Sequence, residues 1–264
     1  MARHLTKLNS QNSFEDILGY QIVNSNVDLC VESILNEMLT GKRKKWLACI
    51  NPHSYVVALS DCEFSSSLHD ADWLIPDGQG IVLASQILGG DIKLRITGSD
   101  IFYALNSRAN DMGEFSVYFL GSTSESLCKI RTKFESEYPA LRFSGSYSPP
   151  FKQKYTDQEL DEMIEAINHA KPDILWVGLT APKQEKWIRQ NIHRLDIKFA
   201  AAVGAVFDFY TGRIRRSNPL FQRLGLEWLP RLLQEPRRLW RRMIVSAPIF
   251  IWHLVQAKFK FPKK

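Results

Sequence analysis

Most of the features that give a sequence an immediate identity are missing here. The four cysteines, Cys30, Cys49, Cys62 and Cys128, stand far apart, with no CxxC pair and no histidine at metal-ligand spacing. That excludes a zinc module and a disulfide framework, and it fits thiols kept reduced in the cytosol. No window reaches the roughly 18–20 apolar residues that a spanning helix needs. The nearest, residues 243–255, is short and carries Pro248 and His253, so it is expected to lie on a membrane and not to cross one. Residues 1–20 have no apolar core, and no secretory leader is expected. No GxGxxG or P-loop fingerprint is present, which argues against a dinucleotide-dependent oxidoreductase. There is no internal repeat and no low-complexity segment. What is left is an ordinary globular composition, 45% hydrophobic and 23% charged, long enough at 264 residues for one large domain with an appendage.

Charge is distributed unevenly. From Arg213 onward the chain carries nine Arg and four Lys against Glu227 and Glu235, so this part has a net charge of +11 (13 − 2). The formal total is +6, which leaves −5 for residues 1–212. The arginines of the tail are interleaved with Trp228, Trp240, Leu224, Leu229, Leu232 and Leu233. Arginine suits phosphate, because its planar fork donates paired hydrogen bonds and its charge does not titrate. Interleaved Trp and Leu suit the boundary between headgroup and acyl chain. A solvated helix is the ordinary fate of a charge run, but it explains neither the tryptophans nor the choice of Arg over Lys.

In the body, apolar runs of strand length recur at 17–23, 46–50, 73–75, 116–120, 141–147, 174–179 and 199–203. Helical periods lie between most of them, at 30–39, 81–88, 101–109, 123–138 and 156–170, the last opening with a Thr156…Glu159 capping box. Alternating strands and helices predict an α/β fold: a Rossmann-like, mostly parallel sheet flanked by helices. Three domains are expected: a flexible N-terminal arm over 1–16, an α/β catalytic domain over 17–210, and a basic amphipathic appendage over 211–264.

In such a fold, ligands bind at the carboxyl ends of the strands. Asp77 and Gly78 follow the strand at 73–75, although Pro-Asp-Gly is also a common turn. Arg95 precedes a helix for which Ser99 or Asp100 is the expected cap. The Gly121-Ser122-Thr123 joint opens a helix whose free N–H groups suit phosphate. Lys183, Gln184 and Glu185 fall in the first turn of a helix after Pro182, where a lysine opposes the helix dipole and calls for an anionic neighbour. The stretch 203–212 reads as a further apolar strand, with Asp208 isolated among apolar neighbours and therefore in need of a partner.

These stretches together resemble the WecG/TagA/CpsF glycosyltransferases (glycosyltransferase family twenty-six). The residues that carry the resemblance are PDGQGIV at 76–82, RITGSD at 95–100, VGLTAPKQEKWI at 177–188, VGAVFDFYTG at 203–212 and GLEWLPRLLQEPRRLWRR at 225–242. The resemblance implies an inverting, metal-independent transfer of a sugar from a UDP-sugar to a sugar on undecaprenyl diphosphate, without a cofactor, at the inner face of the cell membrane. It implies Asp77 as general base, with Arg95 and Gln184 as the other catalytic residues. It places Asn51 and Asp208 along the nucleotide-sugar pocket. The family pattern has a Thr where this chain has Cys49, which opens the question of which sugar is donated. Gly78 and Lys183 are expected beside the substrate, and Arg215, Arg216, Arg223 and Arg231 of the tail are expected to meet diphosphate. The Asp70-Ala71-Asp72 pattern holds a metal-bound diphosphate in other glycosyltransferases. Here it precedes its strand, at the sheet edge opposite Asp77, and no metal is expected there.

The tail alone permits other readings: a nucleic-acid-binding module, or a non-catalytic peripheral membrane protein. The first leaves the body motifs unexplained, so no nucleic-acid partner is expected, and the presence of Asp77, Arg95 and Gln184 argues against the second. Apolar residues of the appendage offer a surface for a second copy of the chain when it is off the membrane.

Overall fold

The computed structural model describes residues 13–41, 43–214 and 242–260. Arg215, Arg216, Arg223 and Arg231, and most of the arm expected over 1–16, lie outside the described residues. The last residues of that arm are ordered. Ser13–Ile17 (β1) pairs antiparallel with Tyr20–Asn24 (β2). The run at 17–23 is therefore a hairpin corner and not one strand. Leu18 and Gly19 both have positive φ, 54° and 91°, the pairing that a two-residue hairpin turn requires.

After Val27–Thr40 (α1) the body follows. Its strands are Lys45–Ile50 (β3), Trp73–Pro76 (β4), Ser116–Gly121 (β5), Arg142–Tyr147 (β6), Ile174–Gly178 (β7) and Phe199–Ala202 (β8). They form one sheet in the order β4-β3-β8-β7-β5-β6, with every pairing parallel. The chain thus builds one edge with β3 and β4, the other with β5 and β6, and then fills the centre with β7 and β8. The central strands are covered on both faces, which is why they read as ILWVG and FAAA with no polar alternation.

The helices between the strands are Pro52–Ala58 (α2), Cys62–Asp70 (α3), Gln79–Leu88 (α4), Gly98–Met112 (α5), Ser124–Glu137 (α6), Asp157–Ala170 (α7) and Lys183–Asn191 (α8). Strand side chains alternate in direction. Leu175 and Val177 of β7 therefore enter one core with Tyr55, Phe64, Trp187 and Ile188. Ile174 and Trp176 enter the other with Phe102, Phe119, Phe134 and Phe207. The cap of α5 is Thr97, which accepts from the Asp100 N–H while Asp100 answers as the third helical residue; the expected Ser99 or Asp100 cap falls two or three residues too late.

The strand expected over 203–212 is a helix, Val206–Tyr210 (α9). β8 stops at Ala202, Gly204 turns the chain at φ 50°, and Val206, Phe207 and Tyr210 recur at helical spacing to fill the second core. Beyond the undescribed segment, a π-helical turn at Arg242–Ser246 leads into Ala247–Lys260 (α10). This helix packs on α2 and α4. Phe250 and Leu254 are buried, Phe250 stands edge-on to Tyr55, and the Tyr55 hydroxyl lies 2.8 Å from His253 Nδ1. Ser246 Oγ is 2.8 Å from His53 Nδ1. No helix among the described residues is long and apolar enough to cross a membrane.

Candidate active site

All six strands of the sheet end at one level, and the segments that leave them enclose a cavity of about 870 Å³. The register makes this necessary. Ile50 pairs with Pro76, so Asn51 and Asp77 emerge side by side. The Asp77 N–H donates to the Ile50 carbonyl at 2.8 Å, and the Ile96 N–H donates to the Pro76 carbonyl at 3.0 Å. The second bond ties the loop bearing Arg95 to the end of β4. On the far side, Gly121 pairs with Gly178 and Val177 with Ala202, which brings the start of α6, the Thr180–Gln184 turn and the Val203–Asp208 turn together.

Asp77, Arg95, Gln184, Cys49, Asn51, Lys183 and Asp208 all line this cavity. Gly78 does not. It is the N-cap of α4 at φ 108°, a conformation that only glycine adopts readily, and its role is to turn the chain behind Asp77. Asn51 caps α2, its Oδ1 accepting from the N–H groups of His53 and Ser54 at 3.0 Å each. The Cys49 thiol donates to the Ala202 carbonyl at 3.8 Å. Burial pushes this thiol well above its usual value, and the carboxylates of Asp77, Glu185 and Asp100 push it further. Those carboxylates therefore share one neighbourhood around Cys49.

Two expectations about partners resolve differently. Asp208 has its cation: Arg213 lies 2.7 Å away, and both residues line the cavity. Lys183 needs no anion to explain its position. Its Nζ donates to the Lys152 carbonyl at 2.9 Å and the Tyr155 hydroxyl at 3.1 Å, and it stands over the rings of Tyr155 and Phe151. This pins the loop between β6 and α7 against the cavity, and burial lowers the ammonium below its usual value. The Asp70-Ala71-Asp72 pair lies at the opposite end of the sheet, where Arg189 meets Asp70 and the Trp46 N–H donates to Asp72.

Residues outside the expected set complete the wall: Thr97, Ser122, Thr123, Ser124, Ser148, Phe151, Tyr155, Glu185 and Arg213. Ser122 and Thr123 were legible as a helix start suited to phosphate. Ser148 and Phe151 come from a Pro-Pro loop that carries no chemical signature. Glu185 is 2% exposed, and burial raises its carboxyl to about 7 against the counter-pull of the Gln184 amide and its own backbone N–H. Gln184 Nε2 donates to Glu185 Oε1 at 2.9 Å, and neither Gln184 Oε1 nor Glu185 Oε2 meets a donor among the described residues. A buried acceptor left unmet costs about 1–3 kcal/mol. In sequence, Glu185 looks like any acidic residue placed in a first helical turn.

The model of the WecG/TagA/CpsF glycosyl transferase family matches residues 15–264. The chain belongs to this family of glycosyltransferases. It is 29% identical to a Bacillus subtilis protein over 94% of this chain and 95% of that one. It is also 29% identical to a Bacillus spizizenii protein over 87% of this chain and 86% of that one. A Staphylococcus aureus relative is 26% identical over 94% of each chain. All three are named N-acetylglucosaminyldiphosphoundecaprenol N-acetyl-beta-D-mannosaminyltransferase. A cavity at the carboxyl edge of a parallel sheet is where a fold of this class binds its ligands.

Proposed function

We propose that this glycosyltransferase moves a hexose-type sugar from a UDP-sugar to an undecaprenyl-diphosphate-linked sugar, with inversion and without a metal, during synthesis of a bacterial surface polysaccharide. The observation that carries this reading is the convergence of Asp77, Arg95 and Gln184 on one cavity in a chain that matches the family over nearly its whole length. Inversion needs a single in-line displacement. The acceptor hydroxyl loses a proton as it attacks, and Asp77 at the end of β4 is the base that takes it. UDP leaves with negative charge that cations and N–H donors must stabilise. Arg95, the N-terminus of α6 and the arginines of the tail supply them.

The names of the relatives make N-acetylmannosamine the first donor to test and N-acetylglucosamine the acceptor sugar. Cys49 stands where the family pattern has Thr, which leaves the donated sugar open, and a neutral hexose such as glucose is the second candidate to test. The exposed Ile251, Trp252, Val255 and Phe259 of α10 are the residues proposed to rest on the cytoplasmic face of the membrane, next to the basic tail.

The test is acceptor-dependent UDP release by the full-length protein. UDP-N-acetylmannosamine, UDP-glucose and the corresponding uronic acids are offered with short-chain lipid-diphosphate analogues of both acceptor sugars. Release with one donor, lost in Asp77→Ala and unchanged by EDTA, is the expected result. No release with any pair, from protein that still sediments with anionic liposomes, would move the weight to a non-catalytic membrane protein.

A further inference from the structure

Gln184 and Glu185 open α8 on the cavity wall, 4% and 2% exposed. One hydrogen bond joins them, from Gln184 Nε2 to Glu185 Oε1 at 2.9 Å. That bond uses the donor end of the Gln184 amide. The acceptor end, Oε1, has no partner among the described residues, and neither has Glu185 Oε2. Gly204 stands against the amide: a Cβ there would lie 3.4 Å from Nε2 and 3.5 Å from Oε1. These are ordinary contact distances, so Gly204 flanks the amide, and Oε1 still has no hydrogen-bond partner among the described residues. The terminal torsion of a glutamine is broad and two-fold, so only a neighbour of fixed polarity decides which end faces which way. Glu185 is that neighbour when ionised, since a carboxylate can only accept.

We propose that Glu185 is a positioning residue. By accepting the Gln184 N–H it holds the amide so that carbonyl Oε1 is the end left for substrate, where it accepts from a hydroxyl or amide N–H of the transferred sugar. This rests on the donor reading above. It adds a rule of specificity: the sugar must bring a donor to this point, and an analogue without that group leaves a buried acceptor unmet. Sites built to bind a particular hydroxyl or N–H reject the analogue that lacks it far more strongly than an apolar pocket rejects a missing methylene. Replacing Glu185 frees the amide to turn, and the rejection disappears.

The experiment is titration calorimetry on the full chain with UDP, UDP-N-acetylmannosamine, UDP-glucose and single-deoxy analogues of whichever donor binds. Wild type should bind one deoxy analogue about 10–100-fold more weakly than its parent. In Glu185→Gln, close to isosteric with wild type, that ratio should fall below about threefold while affinity for UDP alone is unchanged. Gln184→Met, which keeps the length of the side chain and removes the carbonyl, should lose the ratio in the same way. Three results would overturn the proposal: discrimination kept in Glu185→Gln, affinity for UDP and UDP-sugar falling together, or no deoxy analogue discriminated by wild type. A wild type that binds no UDP-sugar would instead remove the donor reading itself.

Discussion

Two helices start about twenty-five residues apart in sequence and obey opposite rules. At the start of α7, Thr156 and Glu159 form a capping box. Thr156 Oγ1 accepts from the Glu159 N–H and Glu159 accepts from the Thr156 N–H, so the exposed polar groups answer one another. At the start of α8, no side chain caps the helix and the polar pair is buried. Two of its acceptors lack partners among the described residues. The first arrangement serves the fold. The second weakens it and is kept beside the cavity. Where a chain departs from local consistency without local benefit, function is the expected reason.

The largest way to sharpen the contrast is to compare carboxylates by rate. Asp77→Asn should lower acceptor-dependent UDP release by about 10²–10⁴-fold, as expected for loss of a general base. Glu159→Gln, on the exposed capping box, should leave release within about twofold. Equal losses in steady-state assays would break the distinction between a carboxylate that lines the cavity and one that serves a helix cap.

The next effect is on stability. Burial raises the folded-state carboxyl of Glu185 to about 7, above its ordinary value of 4.5. Between those values the folded chain holds a proton that the unfolded chain has released. Stability from this group is therefore present at low pH and is lost as pH rises from about 4.5 through about 7. The total is on the order of 3 kcal/mol. Chemical denaturation across that range should show the decline in wild type and a flatter profile in Glu185→Gln. A profile shared by both chains would contradict the assigned cause.

The smallest effect belongs to the cap. Thr156→Ala should cost about 1 kcal/mol, the ordinary price of a lost N-cap, and this loss should be nearly the same from pH 6 to pH 9. A loss that grows with pH, read from the same denaturation series, would mean that α7 shares the behaviour assigned to α8.

Much of this architecture is legible in sequence because strands buried on both faces read as unbroken apolar runs. Residues 174–178 and 199–202 are of that kind. The cavity is legible for a related reason: chemistry-bearing residues just after such runs fall at the carboxyl edge of the sheet. The misreadings occur where short apolar stretches fit two periods. Residues 203–212 satisfy a strand as well as a helix, and only the turn at Gly204 and the packing of Phe207 and Tyr210 decide. Residues 17–23 hide a Leu18-Gly19 turn inside an apolar run. α3 escaped because Ser65, Ser66 and Ser67 dilute its apolar face to Phe64 and Leu68. Sequence reasoning places Glu185 at a helix start on this edge but assigns it no role, for a different reason. Its type and place suit a helix start, and only three-dimensional burial shows that it is not serving as a cap.

The central claim is that the polar groups opening α8 are incomplete until substrate arrives. Its most direct test is the thermal midpoint of wild type and Glu185→Gln at pH 8, each alone and with saturating UDP-sugar. Without ligand, Glu185→Gln should melt higher, because a buried carboxylate has been removed. With ligand, the midpoint of wild type should rise more than that of the variant. A variant that melts lower than wild type without ligand, and gains the same rise with it, would show that Glu185 is already satisfied in the free protein and would contradict the account.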